Sequence, residues 1–493
     1  MSCPADADPQ LGRLADAVLI PPFVSRTVPP WLTEALASGL AGATLYGMNI
    51  ESPGQLTMLT SRLRAAAREP VIAIDEEGGD VTRIAHRRGS PYPGNAALGA
   101  IDDPGLTEAV YAALGADLAG LGISLDLAPA VDVNSAADNP VIGTRSFGSD
   151  TALVARHAAA AVTGLQSAGV AACAKHFPGH GSTQIDSHLS LATVDAGRRL
   201  LAERDLPPFA AAIEAGVRAI MPGHLRVPEL TGDLPASLSP AALTGLLRGD
   251  LGFTGVIVSD GLEMRAVADV YGIPETAVRA VAAGTDLLCL GRDQDEHMYA
   301  RVRAALIAAV RSGRMPGERL EDAATRVAEL RGWTAAAAGR ERGDGAEIGL
   351  AAARRAVRVD GVPQPLYRPL VVEMVPPANM AAGTVPWGLG SWVRADSLRR
   401  ISTGTPDEGV AAAIGALLAE AAGRSLVLVV RDAHRYPAAA SITSAILAAR
   451  PDAVVVEMGL PVWRPPAGLY LATFGAARTS SRAAAEVLGL AAP

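Results

Sequence analysis

Asp186 and His188 stand two residues apart in a stretch rich in Gly, Ser and Thr, "HGSTQIDSHLS". That spacing lets a carboxylate orient an imidazole and stabilise its charged form, which makes a proton-transfer device for neutral pH. The same two residues equally suit a capped loop, and they gain chemical meaning only beside a nucleophile. "VIVSDGLEM" offers a candidate: Asp260 ends a run of β-branched residues, and Gly261 lets the chain turn away. No G-x-S-x-G elbow occurs, which weakens a serine-hydrolase reading.

A second constellation is "AKHFPGHG", where Lys175 and His176 end another apolar run. His176 and His180 are four apart, a spacing that suits two metal ligands on one helix face. Pro178 and Gly179 between them argue against a helix, and no third ligand follows at fixed spacing. No metal is expected, and His180 reads as a loop brace. Lys175 is the only lysine in a chain whose lysines and arginines total 43. Where arginine serves everywhere else, a retained lysine points to a compact ammonium in a place too narrow for a planar guanidinium.

These residues need a frame, and the first 291 residues supply one. Short apolar runs recur at 16–23, 42–49, 70–79, 123–133, 170–179, 219–225, 255–261 and 285–291. Each ends in Gly, Pro or polar residues and reads as a buried parallel strand. Alanine-rich amphipathic segments at 53–69, 104–121, 150–168, 203–215 and 274–283 lie between them, several opening with Pro, Ser or Asp as helices do. The alternation predicts a (β/α)8 TIM-like barrel over 1–334, with its active site at the C-terminal strand ends. Asp75, Asp132, Lys175 with His176, His224 and Asp260 each follow an apolar run and so fall at that end. For Asp132 and His224, lining a pocket and bracing the rim are both open. Residues 335–360 read as a linker, and 361–493 as a smaller α/β sandwich domain with strand-like runs at 369–375, 425–432, 452–459 and 468–475.

Composition limits the partners. A net charge of −8 without a basic cluster argues against nucleic acid. Cys3, Cys173 and Cys289 form neither a disulfide framework nor a zinc pattern, which suits a reducing compartment. The N-terminal residues are acidic where a signal peptide is basic, and no apolar stretch reaches the ~20 residues of a membrane span. A cytoplasmic location, with no membrane association, is expected. Cys173 and Cys289 fall inside apolar runs, as core cysteines do.

The motifs "IDEEGGDVTRI", "NPVIGTRSFG", "KHFPGHG", "DSH", "LPASLSP" and "GFTGVIVSDGLEM", in this order, resemble the bacterial β-N-acetylglucosaminidases of glycoside hydrolase family 3. The resemblance covers about 15–330 closely and extends more loosely through "VVRDAHRYP", "VVVEMGLP" and "TFGAARTS", as in two-domain members. It implies Asp260 as nucleophile, His188 as acid/base with Asp186 behind it, and Asp75, Arg83, Arg145, Lys175 and His176 as sugar-binding residues. No cofactor is implied. The implied partner is a small carbohydrate bearing a terminal N-acetylglucosamine, with a cell-wall muropeptide expected from the resemblance, on a monomer or homodimer. Usually two carboxyl groups share such chemistry. An imidazole carries no negative charge as a base and would not repel an anionic acceptor, so a phosphorylase releasing the sugar to phosphate is the alternative. A sugar-binding protein on an inactive barrel is a third reading, although every mapped residue is present.

Two positions depart from the pattern. Asp80 replaces an arginine usual after the "EGG" turn and is expected to lower the positive charge at the pocket rim. Gly261 stands where the family often has a second aspartate. In other branches the acid/base is a glutamate of the C-terminal domain; Glu373, Glu408, Glu420 and Glu457 are available, but the "DSH" loop makes one unnecessary. Asp432 and His434 read as a structural pair.

Overall fold

The computed structural model describes residues 8–187, 190–337, 345–377, 381–403 and 410–492. The chain divides into two compact units, neither of them continuous in sequence. The first comprises Met1–Glu76, Thr107–Asn139 and Ser149–Gly343; the second comprises Glu77–Leu106, Pro140–Gly148 and Asp344–Pro493.

The first unit contains strands β1 (Leu19–Ile20), β2 (Gly42–Leu45), β3 (Val71–Ile74), β4 (Leu125–Asp126), β5 (Ala171–Phe177), β6 (Ala192–Thr193), β7 (Ala219–Pro222), β8 (Leu225–Arg226), β9 (Val256–Ile257) and β10 (Leu288–Cys289). All eight expected barrel strands are among them, and β6 and β8 form a separate short parallel pair. Six strands make one parallel sheet in the order β2-β3-β4-β5-β7-β9. A parallel bridge between Val258 and Leu287 carries the curl on to β10, which pairs with β1. The Thr44 N–H donates to the Pro21 carbonyl at 3.2 Å, joining the β1 segment to β2 and completing the ring. The expected caps set the helices between strands: Ser52 accepts from the Gln55 N–H ahead of Pro53–Ala66, and Asp150 accepts from the Leu153 N–H ahead of Thr151–Ser167. Small side chains fill the ring, among them Ala73, Leu125, Ala171, Cys173, Ala219 and Val258, in keeping with a chain that is only 4% aromatic.

The second unit is built on a six-stranded sheet of β11 (Arg358–Gly361), β12 (Leu370–Val375), β13 (Leu398–Ser402), β14 (Leu426–Val430), β15 (Val454–Glu457) and β16 (Leu469–Ala472). The order is β11-β16-β15-β14-β12-β13, parallel throughout except for β11. Side-chain alternation divides the core into two faces. Leu370, Val372, Leu428 and Val430 pack with Ile442 and Ile446 of the helix Pro437–Ala449. Val371, Val427 and Val429 pack with Ala484 and Ala485 of Arg478–Val487 on the other face. The result is an α/β sandwich. The stretch read as a linker, 335–360, holds the end of the helix Gly317–Ala337, the helix Gly345–Ala356 and the start of β11. No described helix is long and apolar enough to cross a membrane.

Candidate active site

The polar side chains of the first unit gather where its strands end. Asp75 follows β3, and its Oδ1 meets Lys175 Nζ of β5 at 2.5 Å. The lysine side chain is 3% exposed and that of Asp75 is 26%, so the ammonium is locked in place while its partner keeps accessible surface. Pairing is what makes a buried ammonium tolerable. One position on, the register between β5 and β7 slips, with Lys175 opposite Met221 and Phe177 opposite Pro222. The irregularity falls on His176 and re-aims its side chain.

His176 Nδ1 lies 2.9 Å from Asp132 Oδ2, and the backbone N–H groups of His176 and His180 both donate to Asp132 Oδ1. Burial alone would raise the Asp132 carboxyl, but attraction from His176 and the hydrogen bonds it accepts outweigh that and hold it below its ordinary value of 3.8. His180 sits between Thr183 Oγ1, at 2.6 Å, and Ser187 Oγ, at 2.9 Å, and braces the loop.

Asp132 therefore stabilises the fold in its charged form, and the sign of its pH dependence follows. A depressed carboxyl contributes above its unfolded value and loses that contribution as pH falls through the folded value. Asp132→Ala is expected to cost about 3 kcal/mol or more at neutral pH, as removal of one member of a buried pair does. Chemical denaturation across pH tests it: the gap to wild type should narrow below about pH 4, and a gap that stays constant would contradict it.

Asp260 lies three residues beyond the end of β9. Its Oδ1 accepts the Gly261 N–H at 2.8 Å, which orients the carboxylate. His224 stands between Ser237 Oγ, at 2.6 Å, and the Gly261 carbonyl, at 3.1 Å, so it ties the turn after Asp260 to the loop at 237. Asp132 and His224, left open between lining and bracing, both make bracing contacts. Burial pushes the Cys173 thiol far up; Lys175 opposes the rise, whereas Asp126, Asp75 and Asp260 add to it, so these side chains lie in the surroundings of one thiol.

Asp126, at the end of β4, was not foreseen. It is fully buried, its Oδ1 accepts the Glu76 N–H at 2.9 Å, and its Oδ2 has no hydrogen-bond partner among the described residues. Burial drives this carboxyl well above the usual range, aided by the charges of Glu76 and Asp75. That disfavours a charge on Asp126 beside the Asp75–Lys175 pair. Its signal was a lone acid inside the apolar run "ISLDLAP".

Arg83 and Arg145 belong to the second unit. Arg83 Nη2 donates to the Ala381 carbonyl at 2.9 Å. Buried Arg145 forms a fork to Glu77, with Nε and Nη2 at 2.8 and 2.7 Å from its two oxygens, while Nη1 donates to Val141 O. Glu77 is a second residue the sequence reading missed. Asp80 departs from expectation: it is buried rather than exposed at a rim, and accepts from Thr144, Ala476 and Arg431.

Asp186 is part-exposed and its carbonyl accepts the Ser190 N–H, whereas His188 lies outside the described residues. Of the C-terminal glutamates, Glu373 holds the Gly390 N–H and Arg400, Glu420 holds Arg399, and Glu457 accepts three backbone N–H groups. Glu408 lies outside the described residues. Asp432 Oδ1 accepts the Leu460 N–H, a bracing contact.

A parallel barrel with carboxylate, ammonium and imidazole groups at its strand ends has the build of a barrel enzyme. The family model for the glycosyl hydrolase family 3 N-terminal domain matches residues 24–330, and this chain belongs to that family. The chain is 34% identical over 332 residues to Beta-hexosaminidase A of Pseudoalteromonas piscicida, covering 62% of this chain and 55% of that relative. The match thus spans little more than half of the relative's length. A solved glycoside hydrolase family 3 beta-N-acetylglucosaminidase from Paenibacillus sp. str. FPU-7 superposes with a TM-score of 0.86 at 31% identity, covering 98% of this chain and 97% of that one. The beta-glucoside phosphorylase BglX bound to 2FGlc superposes with a TM-score of 0.76 at 17% identity, covering 98% and 93%, a likeness of fold alone.

Proposed function

We propose that this protein is a retaining, exo-acting β-N-acetylglucosaminidase. The observation that carries the reading is the placement of Asp260, oriented by the Gly261 N–H, and of the Lys175–Asp75 pair at strand ends of one parallel barrel. Likeness over nearly the whole chain to a beta-N-acetylglucosaminidase supports the sugar.

In the first step an Asp260 oxygen attacks the anomeric carbon. The bond from that carbon to the leaving oxygen breaks, and His188, oriented by Asp186, gives that oxygen a proton. Water then attacks the glycosyl-enzyme and passes a proton to His188, and Asp260 departs as a carboxylate. Asp75 accepts from sugar hydroxyls while Lys175 and His176 donate to them, and Arg83 and Arg145 supply further N–H groups. Asp132 and His224 hold the strand ends that carry this set. The leaving group in the cell is a muropeptide fragment, and the reaction belongs to cytoplasmic recycling of cell wall.

Incubation with an aryl N-acetyl-β-glucosaminide, with and without phosphate, tests the reading by the identity of the sugar product. Free N-acetylglucosamine is expected in both cases. Sugar 1-phosphate accumulating with phosphate would assign a phosphorylase instead, and no product above an Asp260→Ala control would assign a binding protein.

A further inference from the structure

We infer that Asp80 and Arg431 form a charged latch that positions Arg83 and Arg145 for the sugar. The inference rests on the proposed sugar contacts of those two arginines and adds residues that do not touch substrate. Arg83 and Arg145 sit on Glu77–Leu106 and Pro140–Gly148, two excursions of chain that leave after β3 and β4 and are built into the second unit. Among the groups that hold them there, Asp80 joins the most separate segments.

The Gly78–Gly79 turn, with φ of 72° and 56°, delivers Asp80 inward, and a Cβ on Gly79 would come within 2.5 Å of Gly94 Cα. Asp80 Oδ2 accepts from Thr144 Oγ1 at 2.7 Å and meets Arg431 Nη2 at 3.1 Å, while Oδ1 accepts the Ala476 N–H at 2.8 Å. One carboxylate thus joins the Pro140–Gly148 loop, the end of β14 and the segment after β16. Arg431, next to the end of β14, is part-buried; burial opposes its charge, and Asp80 and Asp432 sustain it.

Two weaker ties lie on the same segments, Arg83 Nη2 to Ala381 O and Arg435 Nη2 to Pro140 O, at 2.9 and 3.0 Å. A cavity of only 20 Å³ remains among Asp80, Ile142, Arg145, Arg431 and Arg435. That is room for about one water. The groups of the latch are thus closely packed around Asp80. An arginine at 80, as the family resemblance leads one to expect, would face Arg431 as a like charge.

Steady-state kinetics of the full chain on an aryl N-acetyl-β-glucosaminide test the latch, with thermal melting followed alongside. Asp80→Asn keeps an oxygen for Thr144 or Ala476 but removes the charge that Arg431 meets, and Arg431→Met removes the other half. Each is expected to raise KM about tenfold with kcat within about twofold of wild type, because binding geometry is lost rather than chemistry. The double variant should be no worse than either single one, the mark of a coupled pair. The latch is overturned if KM stays at the wild-type value, if the two effects multiply, or if kcat and KM change only through a smaller folded fraction. Arg145→Met separates this from the reading beneath it. If Arg145→Met leaves KM unchanged, the sugar-contact reading fails; if it raises KM and Asp80→Asn does not, the latch alone fails.

Discussion

Asp260→Ala is expected to lower kcat on an aryl N-acetyl-β-glucosaminide by about a thousandfold or more, or about 4 kcal/mol of barrier. The carboxylate is the proposed covalent partner of the anomeric carbon, and three acids at other strand ends are set apart from that role. Asp75 is tied to Lys175, Asp132 to His176, and Asp126 is driven toward its neutral form by burial. The Gly261 N–H holds one Asp260 oxygen at 2.8 Å, and attack is assigned to the other. Folding should survive, because Asp260 is only part-buried and the His224 contacts to Ser237 and Gly261 bind backbone and hydroxyl groups that remain. Azide is expected to restore turnover by attacking from the emptied side, giving an α-glycosyl azide where the wild type releases a β-configured sugar. Product stereochemistry by NMR checks this. Activity within tenfold of wild type, or an intermediate trapped on another side chain, would remove Asp260 from the role.

The barrel was legible because its strands are buried on both faces and appear as continuous apolar runs, such as "VIAI" at 71–74. The edge strands of the second unit carry no such run. β11 reads Arg-Val-Asp-Gly with all four residues exposed, and β13 sets Arg399 and Arg400 between Leu398 and Ile401. Charge on an edge protects it from unwanted pairing and also hides it from a hydrophobic scan. The helix Gly345–Ala356 was hidden in a different way. Its buried hydrophobic side chains among the described residues are those of Ala352, Ala353 and Ala356, too small to stand out beside the preceding Gly and charged residues.

Site legibility divides along similar lines. Asp75, Lys175, His176 and Asp260 stand out because each ends an apolar run, and the barrel sends such residues to one end. Asp80 was misjudged because its environment is made of distant chain: the Ala476 N–H that it binds lies 396 positions away. A local reading of "EEGGD" put Asp80 at a rim, whereas Asp80 is buried and meets Arg431, as the neighbouring Glu77 is buried and meets Arg145. Only the folded chain brings such partners together.

His188→Ala should separate substrates by leaving group, and the separation is the test of its proposed role. A sugar alkoxide is too basic to depart without a proton, so kcat/KM for a disaccharide ending in N-acetylglucosamine is expected to fall about a thousandfold, within the range for loss of a general acid. An activated aryl oxide leaves unprotonated, so kcat/KM for that substrate should fall less than about tenfold, since this parameter reports only the steps through glycosylation. Its kcat should fall further, because water must then attack without a base and the glycosyl-enzyme accumulates. A burst of aryl oxide followed by slow turnover is the expected trace. Azide, which needs no base, should raise the slow rate and give a β-glycosyl azide, the opposite anomer from the Asp260→Ala product. Asp186→Asn should show the same discrimination at smaller amplitude, because the amide still orients the imidazole but no longer stabilises its charge. Equal losses of kcat/KM on both substrates would assign His188 to binding or folding rather than proton transfer, and would move the search for the acid to another side chain.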